Sequence, residues 1–195
     1  GIPLASKERS TIDGIKTIAK LGLSAMEVQF VRGVKMNLDY AKKCGEVAKK
    51  LGIKLSIHGP YYINLSSTDR RKIEASKKRI LDSVERAKAM NANIVVFHPG
   101  YYGPFEKEKV FELIKEACEE LVERIEGEVY LGLETTGRIS QFGKLDEIIR
   151  LCKEVKGCVP VIDWAHIYAR NGGRIDYAEI FEKLKELKLK WLHTH

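Results

Sequence analysis

Apolar and polar positions along the chain follow two different periods. Short apolar runs rich in β-branched residues indicate buried strands, and stretches with a helical apolar period lie between them. The pattern predicts a loop over 1–10 and strands over 25–30, 54–58, 94–97, 128–134, 159–162 and 189–192. It predicts helices over 11–22, 38–51, 105–125, 145–155 and 177–187, and a long helix that Ser66 or Ser67 caps and that reaches Met90.

Strands and helices thus alternate, which is typical of a parallel α/β architecture with right-handed crossovers. Both a doubly wound sheet and a (β/α)8 barrel fit this pattern. No Gly-x-Gly-x-x-Gly follows a predicted strand, and polar residues follow at least five different strands. Both features favour a TIM barrel, which builds its site at the carboxyl ends of its strands. We therefore expect 1–195 to form a single (β/α)8 TIM-barrel domain, incomplete with six strands, lacking the first strand and the C-terminal part.

Composition narrows the functional classes. The 195 residues are 44% hydrophobic and 31% charged, with a net charge of +7 that favours a polyanionic partner. Lys and Glu interleave on most predicted helices, however, as they do on any solvated face. No apolar run approaches the roughly 18 residues of a membrane span, and no secretion signal is visible. The four cysteines form no Cys-x-x-Cys pair, so we expect a cytoplasmic protein without a membrane partner.

The chain has five histidines, and each lies at the carboxyl end of a predicted strand. Two carboxylates share this placement, while lysine and arginine are missing from the set. Neutral imidazole and carboxylate together are ligands for Zn2+, Mn2+ or Fe2+. A single histidine is more often a hydrogen-bonded core or loop residue, so the metal hypothesis depends on the whole set. Its members are His58, His98, Glu134, Asp163, His166, His193 and His195.

Two spacings within this set predict how the ligands are shared. Asp163 and His166 are three residues apart, and an extended chain of that length spans roughly 10 Å. This spacing favours binding to two neighbouring metals. His193 and His195 point the same way on a strand, so one of them suffices as a ligand and the choice stays open.

Aromatic and basic residues accompany the predicted ligands. The pairs Tyr61-Tyr62 and Tyr101-Tyr102 follow His58 and His98 in the mouth loops. They either pack at the rim or form an aromatic surface that contacts nucleic acid. Arg32 and Arg138 either meet phosphate there or are solvated surface residues. A nucleophilic triad is less favoured, because the chain has no Gly-x-Ser-x-Gly elbow.

Four ordered motifs resemble those of the endonuclease IV family of apurinic/apyrimidinic (AP) endonucleases, which have a xylose-isomerase-like TIM barrel. They are His-Gly-Pro-Tyr-Tyr-Ile-Asn-Leu over 58–65, Phe-His-Pro-Gly over 97–100, Leu-Glu-Thr-Thr-Gly over 133–137 and Ile-Asp-Trp-Ala-His over 162–166. The family holds three zinc ions with nine ligands. The resemblance implies that His58 and His98 hold the first zinc and that Glu134 bridges to the second.

By the same resemblance Asp163 and His195 hold the second zinc, and His166 holds the third. Tyr61 matches the family's residue that enters DNA at the abasic site, and Arg32 approximately matches its inserted arginine. Trp164-Ala165 departs from the small or polar pair of the family. The family's Asp-x-His pair and final glutamate would lie beyond His195.

The resemblance implies a metal-dependent DNA repair endonuclease, a hydrolase that cuts the phosphodiester 5′ to abasic sites. It would carry two or three zinc ions, with Mn2+ as an alternative, and act as a monomer on double-stranded DNA. Two other hypotheses remain. One is a divalent-metal sugar isomerase or epimerase of the same superfamily, against which the histidine-rich set argues. The other is a non-catalytic barrel that binds DNA or metal.

Overall fold

The computed structural model describes residues 10–125 and 129–195. Its strands are β1 (Ala25–Gln29), β2 (Lys54–His58), β3 (Ile94–Phe97), β4 (Gly100–Tyr101), β5 (Tyr130–Glu134), β6 (Gln141–Phe142), β7 (Cys158–Ile162) and β8 (His193–Thr194). Its helices are α1 (Thr11–Lys20), α2 (Leu38–Lys50), α3 (Arg70–Met90), α4 (Lys107–Arg124), α5 (Leu145–Glu154), α6 (Trp164–Arg170) and α7 (Tyr177–Lys185). None of these helices combines the length and apolar composition that crossing a membrane requires.

Six of the strands form one parallel sheet in the order β1-β2-β3-β5-β7-β8. The sheet curls into part of a barrel, so the predicted α/β class and TIM-barrel fold are confirmed. Side chains of alternate residues face opposite sides of a strand. Phe97 and Leu133 face the large helix-covered core on the convex side, whereas Val96 and Val161 pack together in a small apolar cluster on the other side. The concave side above that small cluster carries the polar residues.

Gly132 of β5 lies at a crowded point inside the curled sheet. A Cβ atom at this position would come within 2.9 Å of the Ile94 side chain and 3.0 Å of the Val161 side chain. Neighbouring side chains would therefore have to move to admit even alanine. The close packing on both sides of β5 fixes the strand that carries Glu134 at its end.

Several predicted boundaries are wrong. The last strand is the two-residue β8, not 189–192, and α3 begins after the N-cap Asp69 rather than after Ser66 or Ser67. The Ser66 hydroxyl instead donates to the Tyr101 carbonyl oxygen at 2.6 Å and so ties two mouth loops together. The short antiparallel pair of β4 and β6, and helix α6, were not predicted. Residues 1–9 of the predicted loop and the predicted strand start at 128 lie outside the described residues.

Candidate metal centre

Glu134 is the centre of the polar cluster at the barrel mouth. Its side chain, 3% exposed, ends strand β5 on the concave face. One carboxylate oxygen, Oε2, lies 3.0 Å from Nε2 of His58 and 2.8 Å from Nε2 of His98. The strand order puts β3 between β2 and β5, so three neighbouring strands each contribute one member. These three residues form a compact group whose ligand atoms all lie within 4.8 Å of one another.

The other oxygen of Glu134, Oε1, faces a second set of side chains. It lies 3.0 Å from Nδ1 of His195 and 3.6 Å from Nδ1 of His166. Glu134, Asp163 and His166 form a second compact group of ligand atoms within 4.8 Å. The carboxylate of Glu134 therefore belongs to two candidate sites at once, one on each oxygen.

The spacing argument for Asp163 and His166 is wrong, because the segment is helical rather than extended. Asp163 is the N-cap of α6, and its Oδ1 accepts a hydrogen bond of 2.7 Å from the backbone N–H of His166. The cap brings Oδ2 of Asp163 to 3.5 Å from Nδ1 of His166. Both residues therefore fit a single group with Glu134.

Backbone carbonyl groups orient two of the imidazole rings. Nδ1 of His58 lies 2.9 Å from the Gly59 carbonyl oxygen, and Nδ1 of His166 lies 2.9 Å from the Thr135 carbonyl oxygen. A carbonyl oxygen only accepts, so each Nδ1 donates its proton there. This leaves Nε2 of His58, 3.0 Å from Glu134, available as a ligand atom, an arrangement usual for metal-binding histidines. The contacts of His166 with Glu134 and Asp163 are made by Nδ1.

A third compact group lies beside the first two, and one of its members was not predicted from the sequence. It consists of Glu27 on β1 with His193 and His195. The prediction rested on polar residues at strand ends, and Glu27 lies within a strand. The signal was the alternation in β1, which places Glu27 on the same face as Gln29 at the strand end.

Charge and burial act against each other at these carboxylates. Burial alone would raise the pKa of Glu134, but hydrogen bonds with His195, His58 and His98 outweigh it and hold the pKa far below its ordinary value. Burial would likewise raise the pKa of Glu27, and its hydrogen bonds with His193 and His195 lower the pKa to about 2. Both carboxylates therefore stay negatively charged at neutral pH.

The imidazole rings shift in the opposite direction. Burial alone would lower the pKa of His195, but hydrogen bonds with Glu134 and Glu27 raise it to about 10. For His58, burial is outweighed in the same way by Glu134, and its pKa is raised. In the absence of a cation the cluster thus holds protons that a metal ion would displace.

The separation of the ligand atoms suits a metal ion. Two ligand atoms at about 2.0–2.2 Å from one tetrahedral zinc ion lie roughly 3.3–3.6 Å apart. The distances of 3.0 and 2.8 Å from Glu134 to His58 and His98 are hydrogen-bond distances, so these side chains would move apart by about half an ångström to bind an ion. Imidazole with carboxylate is a ligand set for Zn2+, Mn2+ or Fe2+. The residues present therefore fit a divalent metal centre, with Glu134 able to bridge two ions.

The predicted contact residues for nucleic acid divide into exposed and half-buried ones. Tyr61 and Tyr62 are 59% and 63% exposed beside the mouth, and the Tyr61 ring packs edge-on near His58 with centroids 6.3 Å apart. Arg32 and Arg138 are also exposed. Tyr102 is different, because its hydroxyl donates to the Glu147 carboxylate at 2.8 Å. Tyr102 therefore has a structural role rather than a place on the aromatic surface.

Sequence comparisons find relatives over most of the chain. A family model described as xylose isomerase-like TIM barrel matches residues 15–195. An uncharacterized protein of Methanocaldococcus jannaschii is 36% identical over the whole chain, which covers 73% of that protein. A probable endonuclease 4 of Mycoplasma mobile is 27% identical over 71% of the chain. An apurinic-apyrimidinic endonuclease of Caenorhabditis elegans is 32% identical over 64% of the chain. The chain spans 52% of the Mycoplasma protein and 29% of the Caenorhabditis protein.

Solved structures of two enzyme classes share the fold. Endonuclease IV from Thermus thermophilus has a TM-score of 0.72 at 20% identity, with 93% of this chain and 68% of that chain covered. D-Psicose 3-epimerase from Clostridium cellulolyticum has a TM-score of 0.73 at 18% identity, with 96% and 79% covered. At such identities the likeness concerns the fold alone and does not separate the two chemistries.

Proposed function

The chain belongs to the xylose isomerase-like TIM barrel family, and we propose that it is a metal-dependent phosphodiesterase that cuts DNA on the 5′ side of abasic sites. The ligands would be His58 and His98 for one ion and Asp163 and His166 for another, with Glu134 bridging both. His195 presents Nδ1 to the same bridging carboxylate. Zinc fits this set of ligands, and manganese is the alternative.

The observation that carries the proposal is the position of Glu134 between two groups of ligands. His58 and His98 meet Oε2, whereas His195 and His166 face Oε1. A carboxylate shared in this way fits two metal ions at the spacing of about 3.5–4 Å that two-metal phosphoryl-transfer enzymes use. In such a pair one ion stabilises the attacking oxygen and the other the leaving oxygen of an in-line displacement at phosphorus, which is the step that the proposed phosphodiesterase needs.

Different residues of the chain have different roles in the proposed reaction. Divalent ions bound here would supply Lewis-acid stabilisation of the phosphoryl charge and a nucleophile at neutral pH. Glu134 carries a negative charge in a buried site and so holds the two groups of ligands together. The Gly59 carbonyl oxygen accepts the Nδ1 proton of His58, which keeps its Nε2 atom turned toward Glu134, and the Thr135 carbonyl oxygen orients the ring of His166.

DNA would be recognised by the rim of the mouth. Tyr61 is exposed, and its ring centroid lies 6.3 Å from that of His58. An aromatic side chain therefore lies next to the proposed reaction centre. An abasic site lacks a base to stack, and extruding it from the duplex therefore costs less than extruding a paired nucleotide. Tyr61 would fill that gap, and the exposed Arg32 and Arg138 would contact phosphates. The endonuclease relatives from Mycoplasma mobile and Caenorhabditis elegans support this substrate class.

The test compares two substrates with the same metal-loaded protein. One is an end-labelled duplex with a single abasic analogue, and the other is a set of ketohexoses. We expect one cut directly 5′ to the lesion, which leaves a 3′-hydroxyl, and no cut in the undamaged duplex. Epimerisation of a ketose without any cut in the abasic duplex would overturn the proposal and favour the sugar epimerase.

A further inference from the structure

Ile139 is the most exposed large apolar side chain among the residues that the structure describes, at 78%. It lies in residues 137–140 between β5 and β6, which we call the rim loop. A single exposed apolar side chain is common on protein surfaces and needs no explanation by itself. Ile139 differs from the others in where its loop lies and in how firmly that loop is held.

The rim loop is held from the inside by Arg170 of α6. The Nη1 atom of Arg170 lies 2.7 Å from the Arg138 carbonyl oxygen and 3.0 Å from the Gln141 carbonyl oxygen. On the other side of the loop, the backbone N–H of Tyr102 donates to the Ser140 carbonyl oxygen at 3.1 Å. The backbone of the loop is therefore ordered before any partner binds, which lowers the entropic cost of a contact through its exposed apolar side chain.

The rim loop begins against the proposed reaction centre. A Cβ atom at Gly137 would come within 3.2 Å of Cδ2 of His166, so the backbone of the loop packs on that imidazole ring. Ile139 is two residues further along the chain, and two residues span at most about 7 Å. The exposed side chain of Ile139 therefore lies at the edge of the mouth that holds Glu134.

Tyr61 and Ile139 lie on different sides of this mouth. The ring centroid of Tyr61 lies 6.3 Å from that of His58, which lies 5.8 Å from that of His98. The His98 centroid lies 5.4 Å from that of His166, on which the rim loop packs. In the sheet, β3 lies between β2, which precedes Tyr61, and β5, which precedes Ile139. The two exposed side chains thus flank the proposed metal centre.

We propose that Ile139 is an apolar wedge that enters the DNA duplex beside the abasic site, on the opposite side of the lesion from Tyr61. This role rests on the proposed function, because a duplex must be bound across Glu134. Proteins that kink DNA frequently insert isoleucine or a similar apolar side chain between base steps. Arg138, the exposed neighbour of Ile139, would contact a flanking phosphate. Stacking is already interrupted at an abasic site, so the wedge would favour damaged over intact duplex.

The experiment uses a duplex with one abasic analogue, in which a methylphosphonate replaces the 5′ phosphodiester so that the duplex is bound without being cut. The fluorescent base 2-aminopurine is placed in turn on either side of the lesion, where its fluorescence rises when its stacking is lost. Ile139→Ser removes the apolar side chain, and Ile139→Leu keeps it. The matched control is Leu21→Ser, which removes an exposed apolar side chain at the end of α1, away from the mouth.

We expect the wild type to raise the fluorescence on both sides of the lesion. Ile139→Ser should lose most of the rise on one side and bind the duplex roughly 10-fold more weakly, because the burial of an isoleucine side chain is lost. Ile139→Leu and Leu21→Ser should match the wild type within about twofold. Because Ile139 is exposed, both of its variants should fold as the wild type does, which circular dichroism checks. An unchanged rise on both sides in Ile139→Ser would overturn the wedge, whatever its affinity.

Incision of an abasic duplex with an ordinary phosphodiester, by the same preparations, separates this inference from the proposed function. A wild type that cuts this duplex, together with an Ile139→Ser variant that unstacks both flanking bases as the wild type does, would overturn the wedge and leave the proposed function intact. A wild type that neither binds nor cuts the abasic duplex would overturn both.

Discussion

Glu27 and His195 come from opposite edges of the six-stranded sheet, and yet Oε2 of Glu27 lies 3.0 Å from Nε2 of His195. Along a flat sheet, strands β1 and β8 would be separated by five strand spacings, or roughly 24 Å. The contact is therefore possible only because the sheet curls until its edges face each other across the interior. This curl also brings His58 of β2 within 3.0 Å of Glu134 on β5, which is two strands away. The polar cluster is thus a direct consequence of the barrel curvature.

Replacing Glu134 by glutamine should abolish incision and leave DNA binding nearly unchanged. The amide keeps the shape of the side chain but loses the negative charge that two metal ions would share, whereas DNA contacts lie on the rim. We expect the incision rate to fall by more than about 100-fold, the upper range for residues that only support a ligand. Single-turnover cleavage and a binding titration on the same abasic duplex measure both quantities. Glu154→Gln, which changes a carboxylate in surface ion pairs, is the matched control.

Tyr61→Ala should weaken the preference for abasic over intact duplex more than it slows the chemical step. The ring is exposed beside His58 and lies on the rim rather than among the proposed ligands. Aromatic contacts with nucleic acid contribute about 1–3 kcal/mol each, so we expect a loss of roughly 5- to 150-fold in discrimination. Competition binding between the two duplexes measures it. The neighbouring Tyr62→Ala is the control, and an equal effect of both variants would argue against a specific role of Tyr61.

The metal-free protein should be most stable between about pH 4.5 and 6.5. The pKa of His195 is raised from 6.5 to about 10. Its contribution to the free energy of unfolding is therefore complete below pH 6.5 and is lost as the pH rises toward 10. The pKa of Glu27 is lowered from 4.5 to about 2. Its contribution to the free energy of unfolding is therefore complete above pH 4.5 and is lost as the pH falls toward 2.

Urea unfolding after metal removal by a chelator, at pH 5.5, 7.5 and 9, measures this dependence. Bound metal requires neutral imidazole, so the zinc-loaded protein should keep its stability at pH 9. A metal-free protein whose free energy of unfolding rises from pH 5.5 to 9 would contradict the charge arrangement described for Glu27 and His195.

Arg170→Met should destabilise the loop that follows Glu134. The Nη1 atom of Arg170 donates to the carbonyl oxygens of Thr136, Arg138 and Gln141 at 3.2, 2.7 and 3.0 Å. Methionine keeps an unbranched apolar stem but leaves these acceptors without their donor. We expect a loss of about 1–3 kcal/mol in the free energy of unfolding. Chemical denaturation measures it, with the exposed Arg138→Met as control, which should change stability by less than about 0.5 kcal/mol.

The part of the site that could be predicted from the sequence is the part that lies at strand ends. In a parallel barrel all carboxyl ends of the strands meet at one mouth, so His58, His98 and Glu134 could be grouped without coordinates. Glu27 could not be assigned to the group in this way, because it lies inside β1, one layer below the mouth. Its approach to His193 and His195 depends on how far the sheet curls, and no local pattern in the sequence encodes that curvature.

The errors at Asp163 and at the last strand have a different physical origin. An aspartate after a strand can continue an extended segment or cap a helix, and the prediction assumed the extended alternative. The hydrogen bond from the backbone N–H of His166 to the Asp163 side chain shows that Asp163 caps helix α6. In the segment 189–192 apolar residues predicted a strand, but parallel pairing with β7 begins only at His193, which is level with Val161.

Electron paramagnetic resonance of bound Mn2+ tests whether the Glu134 carboxylate bridges two metal ions. Two Mn2+ ions about 3.5–4 Å apart should give a spin-coupled spectrum in the wild type and in Glu27→Gln, whose mouth ligands are intact. Glu134→Gln should show isolated Mn2+ ions alone. A wild-type protein that binds only isolated Mn2+ ions at saturation would contradict the account.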